Sequence, residues 1–337
     1  MRPSDEGNAA PQSAPEASEP RKPASEPGLV AAARSGDTRA LARLISLVEN
    51  ASPQLREVMR LIAPHTGRAR VIGLTGAPGV GKSTITGALV GAYRGKGLRV
   101  AVLAVDPTSP FTGGALLGDR VRMQGHATDP GVFIRSMATR GHLGGLSWAA
   151  PQAVRIADAA GFDVIMIETV GVGQAEVEVA SLADTTVVIV APGMGDSVQA
   201  AKAGILEIAD VFVVNKNDRP GAQEAIRDLR TMVAMARPCP GGWKQPIVAT
   251  AAADGAGIDD LADRLAEHAA WLAASGELDR RRLARAREEI SAIAVAELRR
   301  RLGALPGEAH LETLAARVAG GDLDPYTAAD HLIGVTA

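Results

Sequence analysis

The chain has 337 residues, 46% of them hydrophobic and 3% aromatic, with a formal net charge of −2. That length supports one sizeable core with appended elements, or two modest domains. The near-neutral balance gives no global drive toward nucleic acid or an anionic membrane, and no apolar run is long enough to span a bilayer, so neither partner is expected.

Met1 to Gly28 is rich in Pro, Ser, Ala and Glu. It lacks the apolar core of a secretion signal and cannot bury enough surface to offset its ordering entropy, which predicts a disordered tail. A single cysteine, Cys239, lies in a Pro-Cys-Pro-Gly-Gly turn. No intrachain disulfide is possible, and a cytoplasmic location is expected. Leu29 to Val48 has apolar residues at helical spacing with Asp37 as a candidate N-cap, and Pro53 to Ile62 reads as a further helix. Residues 29–66 are therefore expected to form a helical extension.

Val71 to Ser83, VIGLTGAPGVGKS, is an apolar strand pattern running into G-x-x-x-x-G-K-S, with a helical pattern from Ser83 to Tyr93. This is the context a phosphate-binding loop requires. The glycines let successive N–H groups point at phosphate oxygens, and the helix adds the positive end of its dipole. Candidate nucleotide contacts are Gly76, Ala77, Gly79, Val80, Gly81, Lys82, Ser83 and Thr84. Lys82 is expected at the β- and γ-phosphates and the Ser83 hydroxyl on Mg²⁺.

Leu98 to Val105, Val132 to Arg135, Asp163 to Ile167, Thr185 to Val190, Val211 to Val214 and Ile247 to Thr250 are further predicted strands. Their continuous hydrophobicity suggests a parallel sheet covered on both faces. Helices are expected over Leu146 to Ala160, Ser197 to Ile208, Ala222 to Ala236 and Ile258 to Ala274. The alternation predicts a doubly wound, mostly parallel α/β domain of the P-loop NTPase kind over residues 67–275, with its polar motifs on one rim. Leu278 to Leu302 reads as a charged helix. Its arginines 280, 281, 282, 285 and 287 are expected to form a solvated face, with an apolar stripe at Ile290, Ile293, Ala294, Leu298 and Leu302. Two short helices should complete residues 276–337.

Asn215-Lys216-Asn217-Asp218 fits N-K-x-D after a strand. An Asp218 carboxylate can accept from guanine N1–H and from the exocyclic amine, whereas adenine offers neither donor in that arrangement. Each lost bond to a charged group is worth about 1.5–3 kcal/mol. Lys216 would lie along the base and Asn215 would brace the loop. Glu168-Thr169-Val170-Gly171 fits [DE]-x-x-G. A carboxylate there can hold Mg²⁺ and the Gly171 N–H can meet a γ-phosphate oxygen. Asp106 and Asp119 are two more acids on that side. Mg²⁺ keeps several waters, so all three acids cannot bind it directly, and Asp119 could instead cap a helix. In the loop from Gly193 to Lys202, the lysine could reach transition-state charge or simply occupy a solvated helix start.

Taken together, these stretches resemble the MeaB/ArgK family of P-loop GTPases. TGAPGVGKST, VLAVDPTSPFTGGALLGDRVRM, FIRSMATRGHLGG, GFDVIMIETVGVGQ and NKND carry the likeness, which runs from about Leu29 to the C-terminus. The resemblance implies a GTPase with GTP/GDP and Mg²⁺ as ligands. It further implies a chaperone role, gating cofactor loading and protecting an adenosylcobalamin-dependent acyl-CoA mutase. Family members are usually homodimers, for which Leu278 to Leu302 is the candidate arm. Asp106, Asp119 and Glu168 match the family's magnesium-side acids, and Lys202 falls on the lysine of its mobile loop. The sequence departs where Thr250-Ala251-Ala252-Ala253 lacks the family's serine, leaving backbone N–H groups of Ala251 and Ala252 to meet guanine O6. Metal-insertion GTPases need His- or Cys-rich tracts, absent among six scattered His and one Cys. An older family label names a kinase of an amino-acid transport binding protein, for which the chain shows no separate substrate motif.

Overall fold

The computed structural model describes residues 25–107, 124–126, 128–139, 146–169, 175–193, 205–235, 241–304 and 307–333. Most of the expected tail, Asp119, Gly171, Cys239 and Lys202 lie outside them.

Three helices precede the sheet: α1 (Glu26–Arg34), α2 (Thr38–Glu49) and α3 (Leu55–Ile62). The helical stretch read from Leu29 to Val48 is two helices, divided at the expected Asp37 N-cap. Gly36 adopts φ 99°, a left-handed conformation that ends the first, and the Asp37 carboxylate then accepts from Arg39 N–H at 2.8 Å and Ala40 N–H at 3.2 Å to start the second. The first helix also begins at Glu26, inside the expected tail, with Pro27 in its first turn, where a missing N–H has no consequence. A 3-10 turn, Ala63–His65, leads to the sheet.

Seven strands follow, β1 (Arg70–Thr75), β2 (Val100–Pro107), β3 (Val132–Thr139), β4 (Val164–Thr169), β5 (Thr185–Val190), β6 (Val211–Val214) and β7 (Ile247–Ala249). Every pairing is parallel, in the order β3-β2-β4-β1-β5-β6-β7. The helices between them are α4 (Lys82–Gly95), α5 (Leu146–Ala159), α6 (Ala175–Leu182), α7 (Ile205–Ile208) and α8 (Ala222–Met235). After β7 come α9 (Ile258–Ser275), α10 (Glu277–Ala304), α11 (Gly307–Ala319) and α12 (Pro325–Ile333).

Alternate strand residues serve opposite faces. Ile72, Leu74, Val102, Met166, Val187 and Ile189 pack on α4 and α9, while Ala101, Leu103, Phe133 and Ile165 pack on α1–α3 and α5. Two covered faces explain why the strands read as unbroken apolar runs. The first strand sits in the middle, so the chain winds one way to β3 and the other way to β7. The reversal falls beside the C-terminal end of β1, the position where open α/β sheets bind ligands.

Helix α6 was not legible as an element. Its Val179 packs so closely on β1 that a side chain at Gly73 would run into Val179 and Ala183. The solvated arginine face is corrected as well. Arg281 donates to Asp210 at 2.9 Å, and Arg282 and Arg285 both reach Asp184, at 3.0 Å for Arg282. These two acids are buried at the N-terminal rim, where Asp184 also accepts Val71 N–H and Asp210 accepts Thr186 N–H. Burial pushes the Asp184 carboxyl up, but the Arg282 and Arg285 guanidiniums outweigh it and hold the group below the usual carboxylate range. Only Arg280 and Arg287 of the five remain exposed.

Candidate nucleotide site

At the C-terminal rim, β1 ends at Thr75 and the chain turns through Gly76 to Gly81 into α4. The turn needs glycine at two places. Gly76 has φ 144° and a Cβ there would collide with the Ile189 carbonyl oxygen of β5; Gly81 has φ 98° and a Cβ would strike the Asn215 amide. Gly81 is the N-cap of α4, so the N–H groups of its first turn point into the loop. Thr84 stands exposed in that turn. Lys82 is buried, with Nζ donating to Gly76 O at 2.7 Å and Ala77 O at 3.1 Å. The ammonium thus lies within the loop that the spacing assigns to phosphates.

The Ser83 hydroxyl donates to Glu168 Oε1 at 2.5 Å, and both side chains are buried. Glu168 comes from β4, whose register pairs it with Leu74 of β1 and Ala104 of β2. Asp106 lies two residues further along β2, on the same rim; its side chain is outside the described part. Two oxygen donors of the hard type that Mg²⁺ prefers therefore converge beside Lys82, and the donor set fits that metal.

The third motif meets the same loop. Asn215 donates from Nδ2 to Val80 O at 2.8 Å, and its Oδ1 accepts from Thr250 Oγ1 at 3.1 Å and Ala252 N–H at 3.2 Å. One buried amide therefore joins the phosphate loop, the end of β6 and the loop after β7. Lys216 adopts φ 58°, unusual for a side-chain-bearing residue, and its Nζ donates to Gly79 O at 2.6 Å. Asp218 is exposed beyond it and makes no hydrogen bond among the described residues.

The expectation for Ala251 and Ala252 needs revision. Ala251 N–H donates to Ala256 O at 3.0 Å and Ala252 N–H to Asn215. Both groups are engaged in bracing their own loop rather than presented to a base. Gly171, Asp119 and Lys202 are outside the described residues, so their placement relative to the site rests on sequence.

Sequence reasoning overlooked the brace made by Thr250. Its hydroxyl is buried against Asn215, and a hydroxyl directly after a short buried strand was the only available signal.

Comparison with known proteins agrees with this geometry. A sequence model described as methylmalonyl Co-A mutase-associated GTPase MeaB matches residues 41–306. A Pyrococcus abyssi protein that carries a GTPase name is 48% identical over 90% of this chain and 95% of its own length. The mitochondrial methylmalonic aciduria type A homolog of Caenorhabditis elegans is 35% identical over 74% of this chain and 67% of its own. Among solved structures, one described as an LAO/AO transport system kinase superposes with a TM-score of 0.67 at 27% identity, covering 91% of this chain and 95% of the other. With Lys82, Ser83, Glu168 and Asn215 gathered around one loop and the match spanning most of the sequence, the chain belongs to the MeaB family of P-loop GTPases.

Proposed function

We propose that this GTPase regulates an adenosylcobalamin-dependent acyl-CoA mutase, gating loading of its cofactor and protecting it during turnover. The observation that carries this reading is the match to a family described by its association with methylmalonyl-CoA mutase. The name of the Caenorhabditis elegans relative supports it.

In this reading Ser83 and Glu168, with Asp106 or Asp119, hold Mg²⁺, which supplies positive charge beside the β- and γ-phosphates. Lys82 neutralises the same phosphates, and Asp218 accepts from guanine N1–H and the 2-amino group. Ala251 and Ala252 act only by fixing the base loop. The Gly171 N–H senses the γ-phosphate, and Lys202 enters the site when the mutase is bound. The chain works as a cytoplasmic homodimer through α10, where Leu283, Ile290, Val295 and Leu298 are exposed apolar residues, Ile290 at 67%.

The test is GTP turnover by the purified protein with and without its copurifying mutase. A several-fold rise that disappears in Lys202→Ala is expected; a rate indifferent to every copurifying mutase would overturn the reading. Light scattering should give a dimer mass that Ile290→Asp with Leu298→Asp halves. The transport-kinase description of the solved relative favours a second reading, phosphoryl transfer to a protein. Labelled phosphate from γ-labelled GTP appearing on any protein, rather than as inorganic phosphate, would select it.

A further inference from the structure

The rim opposite the phosphate loop holds a second constellation. A cavity of about 410 Å³ is lined there by Arg34 from the end of α1, His65 from the 3-10 turn, and Arg68 and Arg70 at the entry to β1, with Leu98 and Phe162 as apolar wall. Its volume falls in the range of small-molecule sites.

Among the described residues, none of the Arg34, Arg68 and Arg70 guanidiniums, nor the His65 imidazole, has a carboxylate partner. Several arginines elsewhere are matched to acids: Arg94 with Asp129, Arg135 with Glu49, Arg155 with Glu289, Arg281 with Asp210, and Arg282 and Arg285 with Asp184. Two acids do line the cavity, but both are turned to backbone. Asp158 accepts the N–H groups of Gly67, Arg68 at 3.2 Å and Ala69 at 2.9 Å, and Asp163 accepts Arg99 N–H at 2.7 Å. The Arg99 guanidinium donates to Ala160 O and Gly161 O and covers the Phe162 ring at 4.5 Å, which closes that side. Arg70 lies 5.9 Å from the Tyr93 ring centroid, which steers it without neutralising it.

Three guanidiniums without a carboxylate partner among the described residues line one concavity, and their planar forks match phosphate oxygens two at a time. We infer that this cavity binds a small polyanion carrying at least two phosphate groups. One phosphate carries too few oxygens to serve three such forks at once. The ligand is not the nucleotide of the GTPase site, because Arg70 opens β1 and Thr75 closes it, which separates the two sites by roughly 16 Å of strand. The helices before the sheet and the sheet itself both contribute residues, so such a ligand would fasten α1 to the GTPase core.

The test is calorimetric titration of the full chain, with GDP saturating the phosphate loop, using pyrophosphate, inorganic phosphate and citrate in turn. Pyrophosphate should bind one to one and about tenfold or more tighter than inorganic phosphate, because it engages two forks. Citrate separates phosphate from carboxylate chemistry; citrate binding tighter than pyrophosphate would overturn the phosphate assignment. Arg34→Gln with Arg68→Gln should weaken pyrophosphate about 30-fold or more, and raising salt should weaken the wild type. Both residues are exposed, and an unchanged circular dichroism melt verifies the fold. If the double variant does not fold, Arg68→Gln alone should still weaken pyrophosphate about tenfold. Absence of pyrophosphate binding, or equal binding by the variants and the wild type, would overturn the inference.

Discussion

Asn215→Ala tests how the phosphate loop and the base loop are coupled. The Asn215 side chain makes three hydrogen bonds, to Val80 O, Thr250 Oγ1 and Ala252 N–H, and all four residues are buried. Truncation leaves a carbonyl, a hydroxyl and an amide N–H without that partner. Each unmet buried group costs about 1–3 kcal/mol, although the hydroxyl can rotate and a water can enter the vacated space. A net loss of about 3 kcal/mol follows, equivalent to about two decades in an equilibrium constant. The loss should appear in both urea unfolding and GDP affinity, since the same bonds hold the fold and pre-form the site. The assay is GDP titration followed by a fluorescent analogue, with Asn217→Ala as the control, because Asn217 is exposed. A GDP Kd within about threefold of wild type, with unchanged unfolding, would refute the coupling.

Other consequences follow from the same geometry. Lys82→Ala removes the ammonium from the phosphate loop and should lower GTP turnover about 100-fold or more in a phosphate-release assay. Asp184→Asn leaves Arg282 and Arg285 half-buried without their carboxylate and should destabilise the chain by about 3–5 kcal/mol in denaturant titration. His268 is fully buried between Trp243 and Trp271, with Nδ1 2.8 Å from Thr185 Oγ1 and Nε2 3.4 Å from Asp210. Burial pushes its imidazole down to about 4, with Asp210 pulling it up and Arg281 pushing it down. A base whose folded pKa is depressed is held neutral by the fold. Its contribution is therefore complete above about pH 6.5, the unfolded value, and is lost as pH falls from there toward about 4, by about 3 kcal/mol in all. His268→Gln should flatten the pH dependence of urea stability in that window.

Much of the sheet was legible because strands buried on both faces leave a strong signal. Thr185–Val190 and Val211–Val214 were read with the bounds the structure has. The phosphate loop was legible for a different reason: its glycines answer local backbone demands, visible here as the collisions a Cβ would make at Gly76 and Gly81. What stayed hidden depended on distant partners. The arginines of α10 read as a surface face because Asp184 and Asp210, about 70 to 100 positions earlier, carry no local pattern marking them as buried acids. The engagement of Ala251 and Ala252 was equally invisible, since it is set by Ala256 and Asn215 rather than by the alanines. Helix α6 has few polar boundary signals, and among its described side chains the i, i+3 pair Val179 and Leu182 marks its inner face.

Guanine selectivity through Asp218, on a loop fastened to the phosphate loop by Asn215 and Lys216, is tested most directly by nucleotide exchange. GTP, ATP and XTP affinities should be measured side by side for the wild type, Asp218→Ala and Asp218→Asn. Wild type should favour GTP over ATP by at least about two decades, from two bonds to a carboxylate worth about 1.5–3 kcal/mol each. Asp218→Ala should erase most of that preference, and Asp218→Asn should shift it toward XTP, whose C2 carbonyl matches an amide donor. Equal use of GTP and ATP by the wild type, or a preference untouched by either substitution, would contradict it.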